Sequence, residues 1–565
     1  IPSAIVKDES NSHPIIDPQE KADLFNDYFN SVFSLPDTEP PPPGIYPIVS
    51  QLSELSLITL STNEVYNVLC QLDPSKSPGP DEVTTRLLKE LALELASPLT
   101  RLFNQSLASG QFPEKWKDAN LTPVYKSGAK NLFSNYRGIA LLSVVSKVLE
   151  KCVYSRIYNH VAPHLNSLQH GFRHNRSCVT QLIQYVHFLA STLDIGGQVD
   201  TIYLDMAKAF DRVPHQKLLY KLRFFGFRDP LLSWIEDYLT NRRHRVTIEG
   251  MVSQWKSVTS GVPQGSLIGP ILFLIYINDI NSDLSLDTFL PLYADDAKLY
   301  RIISNHIDCD ILNVDLSSVS SWSDTWGMSF NLKKCKQLRT TKKRNPVCAT
   351  YQLGHNDLSL SKEEKDLGIA MTHNLSWREH VMSKINTANR MLGLIKRTCG
   401  KRPIQKVFLT LYIHLVRPHL EYACEVWSPH QAYLVDILEG VQRRATKVIV
   451  KNKPYGERLK ELKLLSLASR RKYFDLIFLY KCRINLYDIN LSDYLEPAGN
   501  ASYNFRNAKC SYKIKYARTN TLKFSYFHRV VKEWNDLPLS LRETDTISSF
   551  KRDLKVHLIQ RDQFL

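Results

Sequence analysis

The stretch LPLYADDAKLY, residues 290–300, constrains this chain more than any other. An apolar, aromatic run of that length reads as a buried strand, and a buried strand does not hold two adjacent charges unless the backbone turns at them. Asp295 and Asp296 therefore belong at or beside a hairpin tip. Two readings stay open on this stretch alone. The turn carries both acids into water, as Asp commonly does where a chain reverses, or the tip presents carboxylates to a divalent metal ion.

The rest of the chain narrows the choice. Its 565 residues suggest about three or four domain-sized units, and 43% hydrophobic with 23% charged residues is a globular balance. Lys and Arg outnumber Asp and Glu to give a net charge of +16, which favours polyanionic partners, nucleic acid first and acidic membrane surface second. Ten cysteines stand singly, with no CxxC pair and no Cys/His spacing suited to zinc. No signal peptide opens the chain, so a reducing intracellular setting is expected. The longest apolar run, residues 271–277, is too short to span a bilayer, and no membrane association is expected. The chain begins at Ile1 rather than Met and reads as a fragment of a longer product.

An amphipathic helix is expected over residues 18–33, then a stiff break at PDTEPPPPG, residues 36–44. Ser61 and Thr62 open a helical pattern through Leu72, SPGPDEV breaks it, and residues 83–107 are again helical in period. From Trp116 to about Arg344 short β-rich runs such as DTIYL and FLPLY alternate with helices such as QKLLYKLRFFG. Past Lys362 the pattern is mainly helical to about Cys482. Residues 441–483 are rich in Arg and Lys, including Arg443, Arg444, Lys447, Arg470 and Arg471, with few acids between them. A solvated helix face is the default for such a run, and the scarcity of acids tilts it towards a phosphate-tracking surface.

A third acid completes the pattern. YLDMAKAFD, residues 203–211, ends a strand with Asp205, about ninety residues before the acid pair. Carboxylates fixed at the ends of two strands can hold two Mg2+ ions, whose remaining positions go to water and substrate phosphates. Two ions so placed stabilise both the attacking and the leaving oxygen of an in-line phosphoryl transfer. Between the strands lies GVPQGSLIGPILFLIYINDI, residues 261–280, in which glycines leave room for a base or ribose and the apolar run reads as a buried helix.

YLDMAKAFD, GVPQGS and YADD, in this order and spacing, resemble motifs A, B and C of reverse transcriptases. NLTPVYKSG, NYRGIALLSVVSKVLEK and QHGFRHNRSCVTQL resemble finger motifs of the non-LTR, LINE-type retrotransposon group; FNLKKCKQL is similar to motif D and KDLGIAM to the primer grip. VRPHLEYACEVWSP and LEGVQRRATKVI look like the thumb and connection of jockey-like elements, and WNDLP is similar to that group's usual end. The resemblance implies an α/β right-hand polymerase: fingers, a palm with an antiparallel sheet, a helical thumb and a helical C-terminal region. The expected division is 1–115 N-terminal helical extension, 116–345 fingers and palm, 346–483 primer-grip region and basic thumb, and 484–565 C-terminal region.

The same resemblance implies roles. Asp205, Asp295 and Asp296 would be catalytic and would bind two Mg2+, with Mn2+ a substitute. Phe210 would lie under the incoming sugar and select dNTPs; its plain alternative is a core Phe at a strand-to-helix turn. Gln264 and Gly265 would line the nascent base pair, and Lys126 and Arg137 would grip the triphosphate. Arg173 is a further basic candidate, for phosphate or for bracing the template, and Lys333 and Lys334 stand between aiding the leaving pyrophosphate and plain surface roles. The basic thumb residues would hold the hybrid. The family pattern YRPI reads YRGI here, so Gly138 is expected to loosen the backbone beside Arg137. No endonuclease is expected within the chain. The implied activity is RNA-directed DNA synthesis from an RNA template, a DNA primer and dNTPs, in the nucleus or cytoplasm. The alternative is an inactive or co-opted RNA-binding relic.

Overall fold

The computed structural model describes residues 1–7, 14–34, 53–400, 403–498 and 510–562. The proline-rich break expected at residues 36–44 lies outside them.

QVDTIYLD, Gln198–Asp205, is buried at nearly every position, as a strand covered on both faces must be. It is the middle of a six-stranded sheet. Asp296–Ile302 pairs with it antiparallel on one side and Lys336–Thr341 on the other. Leu292–Tyr293 and Thr288–Phe289 return along the Asp296 strand, and Leu360–Ser361 adds a parallel edge. A second sheet has five strands. Its Asp118–Tyr125 and Tyr136–Leu142 form an antiparallel hairpin, and Arg243–Ile248 lies parallel to the first of these.

The apolar run forms the helix Gly269–Ile277, buried almost all round, with Pro270 in its first turn. Ser61 caps Thr62–Cys70 through a reciprocal box with Glu64. The period seen across residues 83–107 belongs to two helices, Thr85–Glu90 and Ala92–Ser109, because the backbone departs from helical geometry at Leu91. One stretch differs from expectation more sharply. KDLGIAM is an antiparallel hairpin, Glu363–Asp366 against Ile369–Thr372, with Leu367 and Gly368 both at positive φ. Two such residues make the turn that matches strand twist, so the segment reverses rather than coils. Helices follow it, the longest being Arg378–Cys399, Ala432–Ile449 and Leu467–Arg483.

Three apolar cores result, and they cut across the expected four-part division. One joins Val65, Phe103 and Leu107 to the Gly269–Ile277 helix and the Asp205 and Asp296 strands. A second joins the helix Cys178–Asp194 on the far face of the central sheet to the helices beyond residue 380, including Trp534, Phe550 and Leu558 near the C-terminus. The third seats Phe25 and Phe29 of the N-terminal helix Pro18–Asn30 on the second sheet, against Leu121, Tyr136 and Ala140. Among the described residues no helix is long and apolar enough to cross a membrane.

Candidate active site

The strand pairing brings the three acids together. Asp205 lies opposite Asp296, so their side chains share a face, and Tyr293 also pairs with Asp296. That leaves Ala294 and Asp295 as a two-residue tip, with Ala294 at φ +57°. A non-glycine residue there needs outside support. Gln169 supplies it: its side-chain oxygen accepts from the Ala294 amide at 2.9 Å and from the Gly171 amide at 2.8 Å, and its amide group donates to the Ala294 carbonyl at 3.3 Å. Gly171 lies so close that a Cβ there would fall 2.2 Å from the Ala294 nitrogen. The QHGF segment, assigned to the fingers by its motif, thus clamps the acid-bearing turn from behind. Its signal in the sequence is the glycine, whose partner no local pattern reveals.

The acids repel one another. Burial raises the Asp296 carboxyl to about 6, with Asp295 and Asp205 adding to the rise. Asp296 itself remains exposed at the start of its strand. Burial likewise raises Asp295, with Asp205 adding to it while Lys126 and Lys334 pull it down. Lys334 reaches Asp205 at 3.2 Å and is half-exposed. Among the described residues no three His, Cys, Asp or Glu side chains converge as a ready-made metal cage. A Mg2+ ion in phosphoryl transfer does not need one, since it takes much of its shell from water and phosphates. Surplus negative charge at a strand end, with a lysine against one carboxylate, fits a divalent cation.

Around the acids the other candidates fall into place unevenly. Phe210, half-buried in the short helix Ala209–Arg212, stacks on Phe273 with centroids 4.4 Å apart and meets Phe172 edge-on. Its ring joins the edge of the core. Gln264 donates to Asp211 at 2.7 Å, and its carbonyl accepts from the Ala140 amide at 3.1 Å. Gly265 has φ +112°, and a Cβ would lie 2.6 Å from the Ala140 carbonyl oxygen. Burial raises Asp211 to about 6. Lys126 and Arg137 are exposed on the hairpin of the second sheet, Arg137 opposite Val124.

Gly138 does not loosen that hairpin. It is paired with Pro123 in the ladder, and a Cβ there would sit 3.1 Å from the Phe29 ring. The missing side chain is the space that Phe29 fills.

Glu150, also missed by motif reading, ties the glycine loop to the helix Val144–Val161. Fully buried, it accepts from the amides of Leu267 at 2.6 Å and Ile268 at 3.3 Å and from the Ser146 hydroxyl at 3.1 Å. Burial pushes its carboxyl up, and these donors with Arg242 pull it back.

The basic candidates divide. Arg173 is half-buried and donates to the carbonyls of Leu165, Asn166 and Ala162, closing a helix end. Arg443, Arg444 and Lys447 are exposed on one helix, with Arg443 paired to Asp436 at 2.7 Å and Arg444 bonded to Asn389. Arg470 and Arg471 are engaged within the protein. Arg470 forks onto Glu421, and Arg471 is 4% exposed near Asp475 and Cys424. A count of charges along a helix cannot tell its outer face from one turned to buried acids.

Residues 124–366 match the family described as reverse transcriptase (RNA-dependent DNA polymerase). They form a reverse transcriptase domain. Among known proteins, the chain is similar to the RNA-directed DNA polymerase from mobile element jockey of Drosophila melanogaster, 29% identical over 66% of this chain and 42% of that protein. It is also similar to two further Drosophila melanogaster proteins, each described as a probable RNA-directed DNA polymerase. That from transposon X-element is 27% identical over 68% of this chain and 43% of its own length. That from transposon BS is 26% identical over 70% and 45%. The chain thus spans less than half the length of the curated relatives it matches. The reverse transcriptase domain contains all three acids, the glycine loop and both hairpin cations; the helices beyond residue 372 and the N-terminal helix lie outside the matched residues.

Proposed function

We propose that this chain is the RNA-directed DNA polymerase of a non-LTR retrotransposon, extending a primer 3′-OH on an RNA template with dNTPs. The observation that carries the reading is the strand register placing Asp205 beside Asp296, with Asp295 at the adjoining tip. Asp205, Asp295 and Asp296 would hold two Mg2+, with Mn2+ a substitute; such ions, when bound, stabilise the attacking and leaving oxygens of in-line displacement. The chain's own residues supply position and charge. Lys126 and Arg137 attract the triphosphate, Arg with a planar fork that spans two phosphate oxygens. Phe210 floors the sugar site and crowds a ribose 2′-OH. Gln264 and Gly265 give the nascent base pair a close backbone wall. Arg443, Arg444 and Lys447 track phosphates of the A-form hybrid, which is recognised by shape. A hand that grips RNA without polymerising has no feature in its favour at the site, since three crowded carboxylates repel a phosphate backbone unless a cation lies between.

The test is dNTP incorporation on a primed RNA template with Mg2+, for the wild type and Asp295→Asn. Wild-type extension that the variant loses is expected, and chelation of the metal should stop it as well. Equal extension by both would overturn the role of Asp295, and no wild-type extension would overturn the polymerase reading.

A further inference from the structure

The N-terminal helix lies outside the matched domain, yet it reaches the nucleotide site at three points. Its Phe29 fills the space left by Gly138, next in the strand to Arg137. The chain just past it is tied to the loop before Gln264: the Ser34 amide donates to the Ser260 hydroxyl at 2.9 Å, and that hydroxyl donates to the Asp211 carbonyl at 2.7 Å. Third, Tyr28 sits between the hairpin and the segment after Asp205. Its hydroxyl donates to the Ser134 carbonyl at 3.1 Å and accepts from the Lys208 ammonium at 3.2 Å. The same ammonium lies 5.0 Å from the Tyr28 ring centroid. One cavity is lined by Phe29, Arg137, Lys208, Asp211 and Gln264 together.

Lys208 is exposed and stands three residues beyond Asp205, at the turn into the helix Ala209–Arg212, with φ +54°. An exposed lysine loses rotamer freedom when it captures an anion. The Tyr28 contacts remove that freedom beforehand. The phenol has one proton and gives it to Ser134, so the face it turns to Lys208 is its acceptor side. Resting on the polymerase reading above, we propose that the segment 18–34 is a working wall of the nucleotide pocket. Tyr28 is a positioning residue that holds the Lys208 ammonium beside Arg137 for the triphosphate of the incoming nucleotide.

The test uses the full chain, a primed RNA template and titrated dNTP. Tyr28→Phe keeps the ring and its edge contact with Phe133 while losing the hydroxyl. It should raise the KM for dNTP about three- to tenfold, the scale of one side chain left to be ordered on binding. Its kcat should stay within about twofold, and its thermal midpoint and RNA affinity should match the wild type. In a Lys208→Met background, which itself raises KM, adding Tyr28→Phe should change nothing further. A wild-type KM in Tyr28→Phe, or the same rise with Lys208 already removed, would overturn the inference and leave the polymerase reading standing. A wild type that does not extend would overturn both.

Discussion

At the scale of single residues, the site depends on contacts that tolerate no added atom. Gly171 is the clearest: a methyl there meets the Ala294 nitrogen at 2.2 Å, and the Ala294–Asp295 tip must move to admit it. Gly171→Ala is therefore expected to cut kcat by about 100-fold, since misplacement of about 1 Å at a reacting centre has that effect. Far-UV circular dichroism should be unchanged, and steady-state extension kinetics check the rest. The three acids were legible because two charges in a strand-like run demand a turn and a third at a strand end gives them company. Gln169 and Gly171 were visible as a motif but not as a clamp, because their partner Ala294 is far along the chain and nothing in a local pattern names it. Gly138 was misread for a related reason. Its missing side chain looked like slack, yet the space belongs to Phe29, from outside the matched domain.

At the scale of helices and strands, two buried glutamates do one job. Glu150 receives the amides of Leu267 and Ile268, just ahead of the Gly269–Ile277 helix. Glu439 receives those that open the Leu467–Arg483 helix, Leu467 at 3.0 Å and Ala468 at 3.2 Å. Each joins two segments by satisfying donors that helix geometry leaves open. Glu150→Ala strands those donors and is expected to lower stability by about 2–3 kcal/mol in urea unfolding; Glu150→Gln, which keeps an acceptor, should lose less. The basic run gives a paired prediction. Arg444→Ala with Lys447→Ala should reduce the steepness of RNA binding against log salt by about 1–2, with stability unchanged. Arg470→Ala should leave that slope alone and cost about 1–2 kcal/mol of stability, because Glu421 loses one guanidinium fork in a largely buried site while Arg417 stays beside it at 3.3 Å. Salt-titrated binding and denaturation separate the two. Helical period announced these segments well; which arginines point inward was set by acids on other helices. The Glu363–Thr372 reversal was missed because its strands are only four residues each, too short for alternation to register against the helical pattern that follows.

At the scale of the whole molecule, three buried histidines, His170, His244 and His380, and the half-buried His187 respond to acid. Burial pushes His170 and His380 down to about 3 and His187 and His244 down to about 4. Three of them keep a ring nitrogen with no hydrogen-bond partner. The unfolded chain takes up protons at these residues near pH 6.5, and the folded chain does not. Their contribution is therefore present above about pH 6.5 and lost as pH falls towards 4. Asp211 and Asp296, raised to about 6, and Glu425, raised by burial to about 7, act in the opposite sense. They favour the folded state as pH falls from about 7 towards the usual carboxylate range. Because burial holds the His187 imidazole down to about 4, the thermal midpoint of His187→Gln should gain on that of the wild type as pH falls from 6.5 to 5, as scanning calorimetry across pH would reveal.

The third core, where Phe25 and Phe29 close the second sheet, bears on how such a chain can be divided. The matched stretch includes neither the helix that covers the hairpin of the second sheet nor the helices that back the central sheet. Cut at those limits, it would carry an uncovered sheet face at one side and a bare helix, Cys178–Asp194, at the other. The matched stretch is the part that holds the three acids. What must be inherited together, for that part to hold its shape, is a longer length of chain, and insertions or breaks at the motif borders are the ones this molecule can least absorb.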